Sequence, residues 1–127
     1  MQIYRLLTIK GAPDILIERC TQIIDTDGNV RPLDGGTFAT VQNVKDQWST
    51  AGKRVILLAR KVLPAKGLSF QFSAHEFEGE VMNHARADLI LVGLVGIVDP
   101  PRDEIPEVVK TLRTAGIRIF MVGFLCH

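Results

Sequence analysis

Apolar and polar positions alternate in blocks along the chain, and these blocks predict short strands separated by helices. Four apolar runs rich in β-branched residues predict buried strands; they are Ile3–Ile9, Arg54–Val62, Leu89–Val98 and Ile117–Val122. The second run is apolar enough for a strand with both sheet faces covered. Apolar residues at three- and four-residue spacing predict helices over Phe38–Trp48 and Ile105–Leu112. The chain is therefore predicted to be an α/β protein.

Turn-forming residues mark where these elements begin and end. Pro13 suits the first turn of a short helix, and Thr37 is a candidate N-cap for the next one. Asp27-Gly28 predicts a hairpin with a two-residue turn, and Gly52 and Gly116 predict helix ends.

The segment from Ser69 to Ala87 has the weakest periodicity. We expect a loop there with one short helix at His75–Met82. In the following strand, Gly93 and Gly96 predict that another backbone or a ligand comes close. Strand, helix and strand from Leu89 onwards favour a parallel β-α-β unit with a right-handed crossover.

Composition narrows the classes of function. The 127 residues carry fifteen basic and fourteen acidic side chains, with no dense basic patch, which argues against nucleic acid as a partner. The longest apolar run, Leu89–Val98, has ten residues, whereas a membrane-spanning helix needs about 20. We expect no direct membrane insertion and a soluble segment. The distant Cys20 and Cys126 form no zinc or disulfide pattern and favour a reducing environment.

A candidate binding motif follows the first strand. Lys10 and Gly11 precede a helix that Pro13 begins, so a positive charge, an accessible backbone and a helix N-terminus lie together. This combination suits an anionic ligand such as ATP. The alternative is that Lys10 and Gly11 serve turn geometry only, and the residues by themselves favour it. Neither GxxxxGK[ST] nor GxGxxG is present.

Three segments in order resemble P-type cation-transporting ATPases, and the sodium/potassium pumps in particular. Lys10-Gly11-Ala12-Pro13-Asp14 is similar to that family's Lys-Gly-Ala-Pro-Glu motif, with Asp14 in place of the commoner glutamate. Gly52–Ala59 resembles the strand headed by a phosphate-contacting arginine, and Asp99–Arg102 resembles the hinge that returns to the phosphorylation domain.

The resemblance implies a site and a division into domains. It implies that the nucleotide is bound by Lys10, Gly11, Ala12, Arg54, Asp99 and Arg102. Residues 1–98 would be part of the nucleotide-binding domain, and residues 99–127 the hinge and the start of a HAD-like phosphorylation domain with its parallel sheet. The other partners would be the phosphorylation, actuator and membrane domains of a pump, with this segment at the cytoplasmic face of the membrane.

The sequence departs from the family where catalysis takes place. It contains no Asp-Lys-Thr-Gly-Thr, Thr-Gly-Glu or Thr-Gly-Asp motif. Phosphoryl transfer needs the nucleophile and the magnesium site that these motifs supply. We therefore expect an ATP-binding fragment that does not turn over ATP. The full-length parent would be an ATP-hydrolysing translocase, and Mg²⁺ is expected only there. Two alternatives are a pump-derived domain that acts only as an interaction or structural module, and a free-standing phosphatase-like α/β module.

Histidine, tryptophan and cysteine side chains could also bind a metal, stack on a base or react, but structural roles explain them better. His75, His84 and His127 fit no zinc spacing, so we predict no metal site. Trp48 is at helical spacing from Phe38 and is expected to face the core rather than stack on a base. Nothing near Cys20 predicts a lowered thiol pKa.

Overall fold

The computed structural model describes residues 4–64 and 74–120. The strands are β1 (Tyr4–Gly11), β2 (Cys20–Ile24), β3 (Val30–Pro32), β4 (Arg54–Pro64) and β5 (Leu89–Ile97). The helices are α1 (Pro13–Leu16), extended by a 3₁₀ turn at Ile17–Arg19, α2 (Gly35–Thr50), α3 (Ala74–His84) and α4 (Ile105–Thr114). The mixed α/β fold class predicted from the sequence is confirmed.

The strands form one mixed sheet in the order β1-β4-β5-β2-β3. Strand β4 pairs antiparallel with both β1 and β5, whereas β5 pairs parallel with β2, and β2 with β3 is an antiparallel hairpin. The two central pairings therefore join segments that are distant in sequence. As the outermost strand on its side, β1 has one unpaired edge among the described residues.

The core lies on one face of this sheet, which we call the covered face. Leu57 and Ala59 of β4 and Leu89 and Leu91 of β5 pack there against Leu16 and Ile17, with Phe38 and Val41 of α2 around them. Leu57 and Leu89 have no exposed surface. Burial of these apolar side chains is the main stabilising contribution, at about 1.5–3 kcal/mol for each fully buried large side chain.

The opposite face, which we call the open face, is much less buried. Side chains alternate between faces along a strand, so the residues opposite the Leu57 set lie here. Along β1 every second residue is exposed: Tyr4, Leu6, Thr8 and Lys10. Their β4 partners include Arg60 and Val62, which is 48% exposed. The prediction that β4 is covered on both faces is therefore wrong for the described residues, because the helices that pack on the core lie on one face.

The β2–β3 hairpin forms as predicted but its turn is longer. The backbone N–H of Gly28 donates to the carbonyl of Asp25, and the Asp25 N–H donates to the carbonyl of Asn29. Gly28 has φ +86°, the left-handed conformation that glycine adopts without penalty. Three residues thus lie between the paired ends, in place of the two expected, since only Gly28 of the Asp-Gly pair has positive φ.

Helix α2 begins three residues earlier than a cap at Thr37 would give. Asp34 is the N-cap, and its Oδ1 accepts a hydrogen bond from the Thr37 backbone N–H at 2.7 Å. Thr37 is therefore the third helical residue, and the prediction that it is the cap is wrong. The carboxylate of Asp34 is the stronger acceptor for the unpaired N–H groups of the first turn. Gly52, with φ +75°, follows the end of the helix as predicted.

The two glycines of β5 have different roles. A Cβ at Gly96 would lie 3.0 Å from Cε3 of Trp48, so its small size admits the indole ring. The close neighbour at Gly96 is thus a side chain, and not the backbone or ligand that the sequence predicted. At Gly93 a Cβ would meet nothing within 4 Å. Gly93 instead adjoins a β-bulge, where pairing jumps from Leu58–Gly93 to Ala59–Leu91.

The third element of the predicted β-α-β unit is not a strand within the described residues. Helix α4 ends as predicted, at Gly116 with φ +78°, and the Ile117 N–H returns to the carbonyl of Leu112. Residues 117–120 then pair with no strand of the described chain and are exposed, with Phe120 at 81%. The strand prediction is wrong there, because an apolar run forms a strand only when a neighbouring strand completes its hydrogen bonds. Residues 121 and 122 lie outside the described residues.

Helix α3 confirms the predicted helix near His75–Met82 and is longer, at Ala74–His84. The predicted loop residues 69–73 lie outside the described residues. Within residues 4–64 and 74–120, no helix combines the length and the apolar character required to cross a membrane.

Candidate nucleotide site at one end of the sheet

The sheet brings most of the predicted site residues to one end. Strand β1 ends at Gly11, which lies opposite Leu57 of β4, and β4 begins three residues away at Arg54. Arg54 in turn lies opposite Ile97, the last residue of β5, and Asp99 follows two residues later. The carboxyl ends of β1 and β5 and the amino end of β4 therefore meet at this end. Segments from three distant parts of the sequence converge there.

The two predicted cations of this end share a face. Lys10 lies opposite Leu58, and Arg54 is an even number of residues from Leu58, so both side chains belong to the open face. Four residues of strand and one strand spacing separate them, or about 14 Å between Cα atoms. Both are exposed. Two long cationic side chains that share one face are arranged to contact a single extended anion.

Gly11 has a packing role that explains its identity. A Cβ there would lie 3.2 Å from Cδ1 of Leu16, which is buried in the core. The missing side chain thus lies on the covered face, away from Lys10. Sequence reasoning attributed this glycine to close approach by a ligand, whereas the contact seen in the structure is with Leu16.

The helix after Gly11 is too short to supply a strong positive end. Helix α1 is a single turn, Pro13–Leu16, and the Ile15 and Leu16 N–H groups already donate to the carbonyl of Ala12. A macrodipole needs several aligned peptide units. The expected contribution of a helix N-terminus is therefore small, and the side-chain charges of Lys10 and Arg54 dominate the electrostatics of this end.

An ion pair that the sequence did not predict anchors the turn. Lys45 of α2 lies 2.7 Å from Oδ1 of Asp14 and 2.9 Å from Oδ1 of Asp46. These two carboxylates raise the pKa of Lys45 above its usual value, with Asp14 the larger cause. The pair ties the segment that follows Ala12 to α2. The two partners are 31 residues apart, so no local spacing signals the contact.

Asp99 and Arg102 lie in an exposed segment between β5 and α4. The pairing of Arg54 with Ile97 places Asp99 close to the Arg54 end of the sheet. Arg102 is three residues further along the chain and lies outside the strands. The Arg102 carbonyl accepts from the Ile105 N–H at the start of α4. Its main described contact is therefore with the helix that follows.

Two shallow cavities lie elsewhere, along α4. Each has a volume of about 400 Å³, and both are lined partly by Arg113. None of the predicted nucleotide residues lines either cavity. Lys10, Arg54, Asp99 and Arg102 are all exposed, so the candidate site is an open surface at the end of the sheet.

Trp48 and Cys20 have the structural roles expected of them. Trp48 packs against Gly96 of β5, and Lys53 Nζ lies 5.4 Å from its ring centroid. Burial raises the pKa of the Cys20 thiol to about 11, and its Sγ donates to the carbonyl of Leu16. Within residues 4–64 and 74–120, no three His, Cys, Asp or Glu side chains are grouped as metal ligands would be.

Comparison with known proteins assigns this arrangement to a family. The sequence model of the family described as "P-type ATPase, cytoplasmic domain N" matches residues 2–104. The chain belongs to that P-type ATPase family. It is 34% identical over 117 residues to the potassium-transporting ATPase alpha chain 2 of Homo sapiens, covering 92% of this chain and 11% of that protein.

Two further relatives are similar to this chain at about the same identity and over the same share of its length. The sodium/potassium-transporting ATPase subunit alpha-2 of Gallus gallus is 34% identical, and the potassium-transporting ATPase alpha chain 1 of Xenopus laevis is 36% identical. Each match again covers 92% of this chain and 11% of the relative. The chain therefore spans about a tenth of the length of the P-type ATPases it matches, and the resemblance predicted from its motifs is confirmed.

Proposed function

We propose that this chain is an ATP-binding portion of a P-type cation-transporting ATPase. The observation that carries the proposal is the shared placement of Lys10 and Arg54 on the open face, at the end of the sheet where Asp99 follows β5. A triphosphate is an extended polyanion. Lysine supplies a point charge to it, and arginine donates paired hydrogen bonds to phosphate oxygens.

The remaining residues have supporting roles in this proposal. Gly11 and Ala12 form the backbone beside the nucleotide, with Gly11 kept small by Leu16. Arg102 and Asp99 belong to the hinge, and the prolines between them stiffen the crossing. Residues 1–98 form part of the nucleotide-binding domain, and residues 99–127 lead into the phosphorylation domain.

The separate packing of α4 supports that division. Helix α4 has no buried residue, and its apolar side chains Ile105 and Val108 are 42% and 46% exposed. An amphipathic helix with an exposed apolar stripe normally packs against a further layer of structure. In this proposal the layer belongs to the phosphorylation domain, and the actuator and membrane domains complete the pump.

Coupled ATP hydrolysis and cation transport belong to the whole pump in this proposal. The chain has no Asp-Lys-Thr-Gly-Thr segment, so it contributes nucleotide contacts and no phosphoryl acceptor. Magnesium is needed at the transferred phosphate and is expected in the full-length parent only.

A titration of the chain with ATP, followed by ¹H–¹⁵N NMR, tests the proposal. We expect shifts confined to residues around Lys10 and Arg54, and weaker binding in the Lys10→Met and Arg54→Gln variants. Arg31→Gln is the matched control, because Arg31 is an exposed strand arginine at the far edge of the sheet. A folded chain whose Lys10 and Arg54 regions do not respond to millimolar ATP contradicts it.

The second candidate is a non-catalytic interaction or structural module derived from a pump. The exposed apolar side of α4 and of residues 117–120 favours it, because such a surface binds other protein layers without nucleotide. Binding of the isolated phosphorylation domain with no response to ATP would favour this candidate over the first.

A further inference from the structure

The turn between α2 and β4 ends one residue before Arg54. Its backbone forms a Schellman motif: the Lys53 N–H donates to the Trp48 carbonyl at 3.0 Å, and the Gly52 N–H donates to the Ser49 carbonyl at 2.9 Å. Gly52 has φ +75°, which glycine adopts without steric penalty. Hydrogen bonds therefore fix the path from helix to strand, and Arg54 is the first residue of that strand.

Lys53 and Trp48 add a side-chain contact to this turn. The Lys53 Nζ lies 5.4 Å from the centroid of the Trp48 ring, within the range of a cation–π interaction. The Lys53 stem continues onto β5, because a Cβ at Gly96 would lie 3.2 Å from Lys53 Cδ and 3.0 Å from Trp48 Cε3. Lys53, Trp48 and Gly96, which we call the clamp, thus join the end of α2, the start of β4 and the end of β5.

The clamp lies at the end of the β4/β5 ladder. Arg54 and Ile97 form the terminal pair, since Arg54 is the first residue of β4 and Ile97 the last of β5. Fraying ends of elements open locally with a free energy close to zero. Gly96, in the next pair, has no side chain of its own to pack there. Lys53 and Trp48 supply that packing from the covered face.

Arg54 lies on the face opposite the clamp. Lys53 is held on the covered face against Trp48 and Gly96. Side chains alternate between faces as the chain enters β4, so the next residue, Arg54, belongs to the open face, as Lys10 does. An arginine on an ordered strand end is already placed for an anion on that face. An arginine on a frayed end must be ordered when the anion binds, and this cost lowers affinity.

We propose that Lys53 and Trp48 are positioning residues for the nucleotide. They hold the Arg54 end of the sheet in the arrangement that binds phosphate, and they make no contact with the nucleotide themselves. The inference rests on the proposed function for the identity of the ligand. Neither residue is among the site residues predicted from the sequence, because the clamp depends on the approach of β5 to the turn.

Calorimetric titration with ATP measures the contribution of the clamp. Lys53→Met keeps most of the stem and removes the cation over the ring, so we expect affinity to fall about two- to fivefold. Lys53→Arg should restore affinity, because a guanidinium group also stacks on an aromatic face. Trp48→Leu keeps the charge of Lys53 and should cause a similar loss, with thermal unfolding to verify that each variant is folded. The matched control is Lys61→Met, which removes one charge from the covered face seven residues beyond Arg54 in β4 and should leave affinity unchanged.

A double-mutant cycle determines whether the clamp acts through Arg54. In the Arg54→Gln background, Lys53→Met should cause no further loss of affinity, because the side chain that the clamp positions is absent. In the free protein, the ¹⁵N order parameter of Arg54 should be lower in Lys53→Met than in wild type, with that of Lys10 unchanged. A loss caused only by a missing positive charge would instead be equal in both backgrounds and would shrink in high salt.

The outcomes separate this inference from the proposed function. Wild-type affinity in both Lys53→Met and Trp48→Leu, with weakened ATP binding in Arg54→Gln, overturns the positioning role and leaves the nucleotide function standing. An equal loss from Lys53→Met with and without Arg54 also overturns it, since Lys53 then acts independently of Arg54. A folded wild type that does not bind ATP overturns the proposed function and the positioning role together.

Discussion

Gly96 of β5 lies directly beneath the indole ring of Trp48, so that a Cβ at this position would be 3.0 Å from Cε3. The same Cβ would lie 3.2 Å from Cδ of Lys53, whose Nζ is positioned over the ring. One glycine thus allows α2 and the loop after it to pack against the strand that leads to Asp99. The packing of α2 against β5 depends on this contact.

The first prediction concerns that contact. Gly96→Val should destabilise the protein by about 1–3 kcal/mol, because the larger side chain forces the indole off its position. Denaturant unfolding followed by Trp48 fluorescence measures the effect. Gly93→Val is the control, since a Cβ there meets nothing within 4 Å and should cost much less. Equal losses for the two variants would show that close packing at Trp48 is unimportant.

The second prediction concerns the cap of α2. The hydrogen bond from the Thr37 N–H lowers the pKa of Asp34 below its ordinary value of 3.8. A lowered folded-state pKa contributes stability that is present above the unfolded pKa and is lost as the pH falls through the folded pKa. Asp34→Ala should therefore lower the Tm at pH 7.

The pH series and a conservative variant check the cap. The difference in Tm between wild type and Asp34→Ala should shrink when the pH falls below 3.8. Asp34→Asn keeps an oxygen acceptor and should retain most of the stability, without that pH dependence. A difference in Tm that stays constant from pH 7 to pH 2 would rule out the carboxylate as its source.

The third prediction concerns Lys45 and Asp14. Their ion pair is partly exposed, with 17% of the Lys45 side chain and 62% of the Asp14 side chain accessible. A double-mutant cycle with Lys45→Met and Asp14→Asn should give a coupling free energy of at most about 1 kcal/mol, which falls in high salt. Because the pKa of Lys45 is raised, this contribution is complete below the unfolded pKa and is lost as the pH rises through the folded one.

The Lys45–Asp14 ion pair also allows a test of whether the candidate nucleotide site depends on this anchor. Asp14 follows the Lys10–Ala12 segment, so loss of the pair should also weaken ATP binding modestly, with Asp46→Asn as the control. If Asp46→Asn weakens binding as much as Asp14→Asn does, the anchoring role of Asp14 is wrong.

The fourth prediction concerns the reactivity of Cys20. Its thiol is buried with a pKa raised to about 11, so little thiolate is present at pH 8. In a Cys126→Ser background, reaction with a disulfide reagent should be slow for the folded protein and fast after unfolding. Rapid reaction under native conditions would contradict the burial of Cys20 in the core.

Prediction from sequence succeeded where a few neighbouring residues decide the structure. The short helix at Pro13, the helix ends at Gly52 and Gly116, and the apolar strands Tyr4–Gly11 and Leu89–Ile97 follow from local backbone preferences and side-chain periodicity. It was less successful at the cap of α2, where both Asp34 and Thr37 are good candidates. At residues 117–120 the apolar pattern was right for a strand, but the structure shows no partner strand there among the described residues.

The sequence by itself determined most of the elements, the family resemblance and the identity of the candidate cations Lys10 and Arg54. Only the tertiary structure decided that β1 pairs with β4, and hence that these two cations share one open face. The physical reason is that side-chain face follows from strand register. Register is set by packing and hydrogen bonds between segments some fifty residues apart, and no local pattern encodes it.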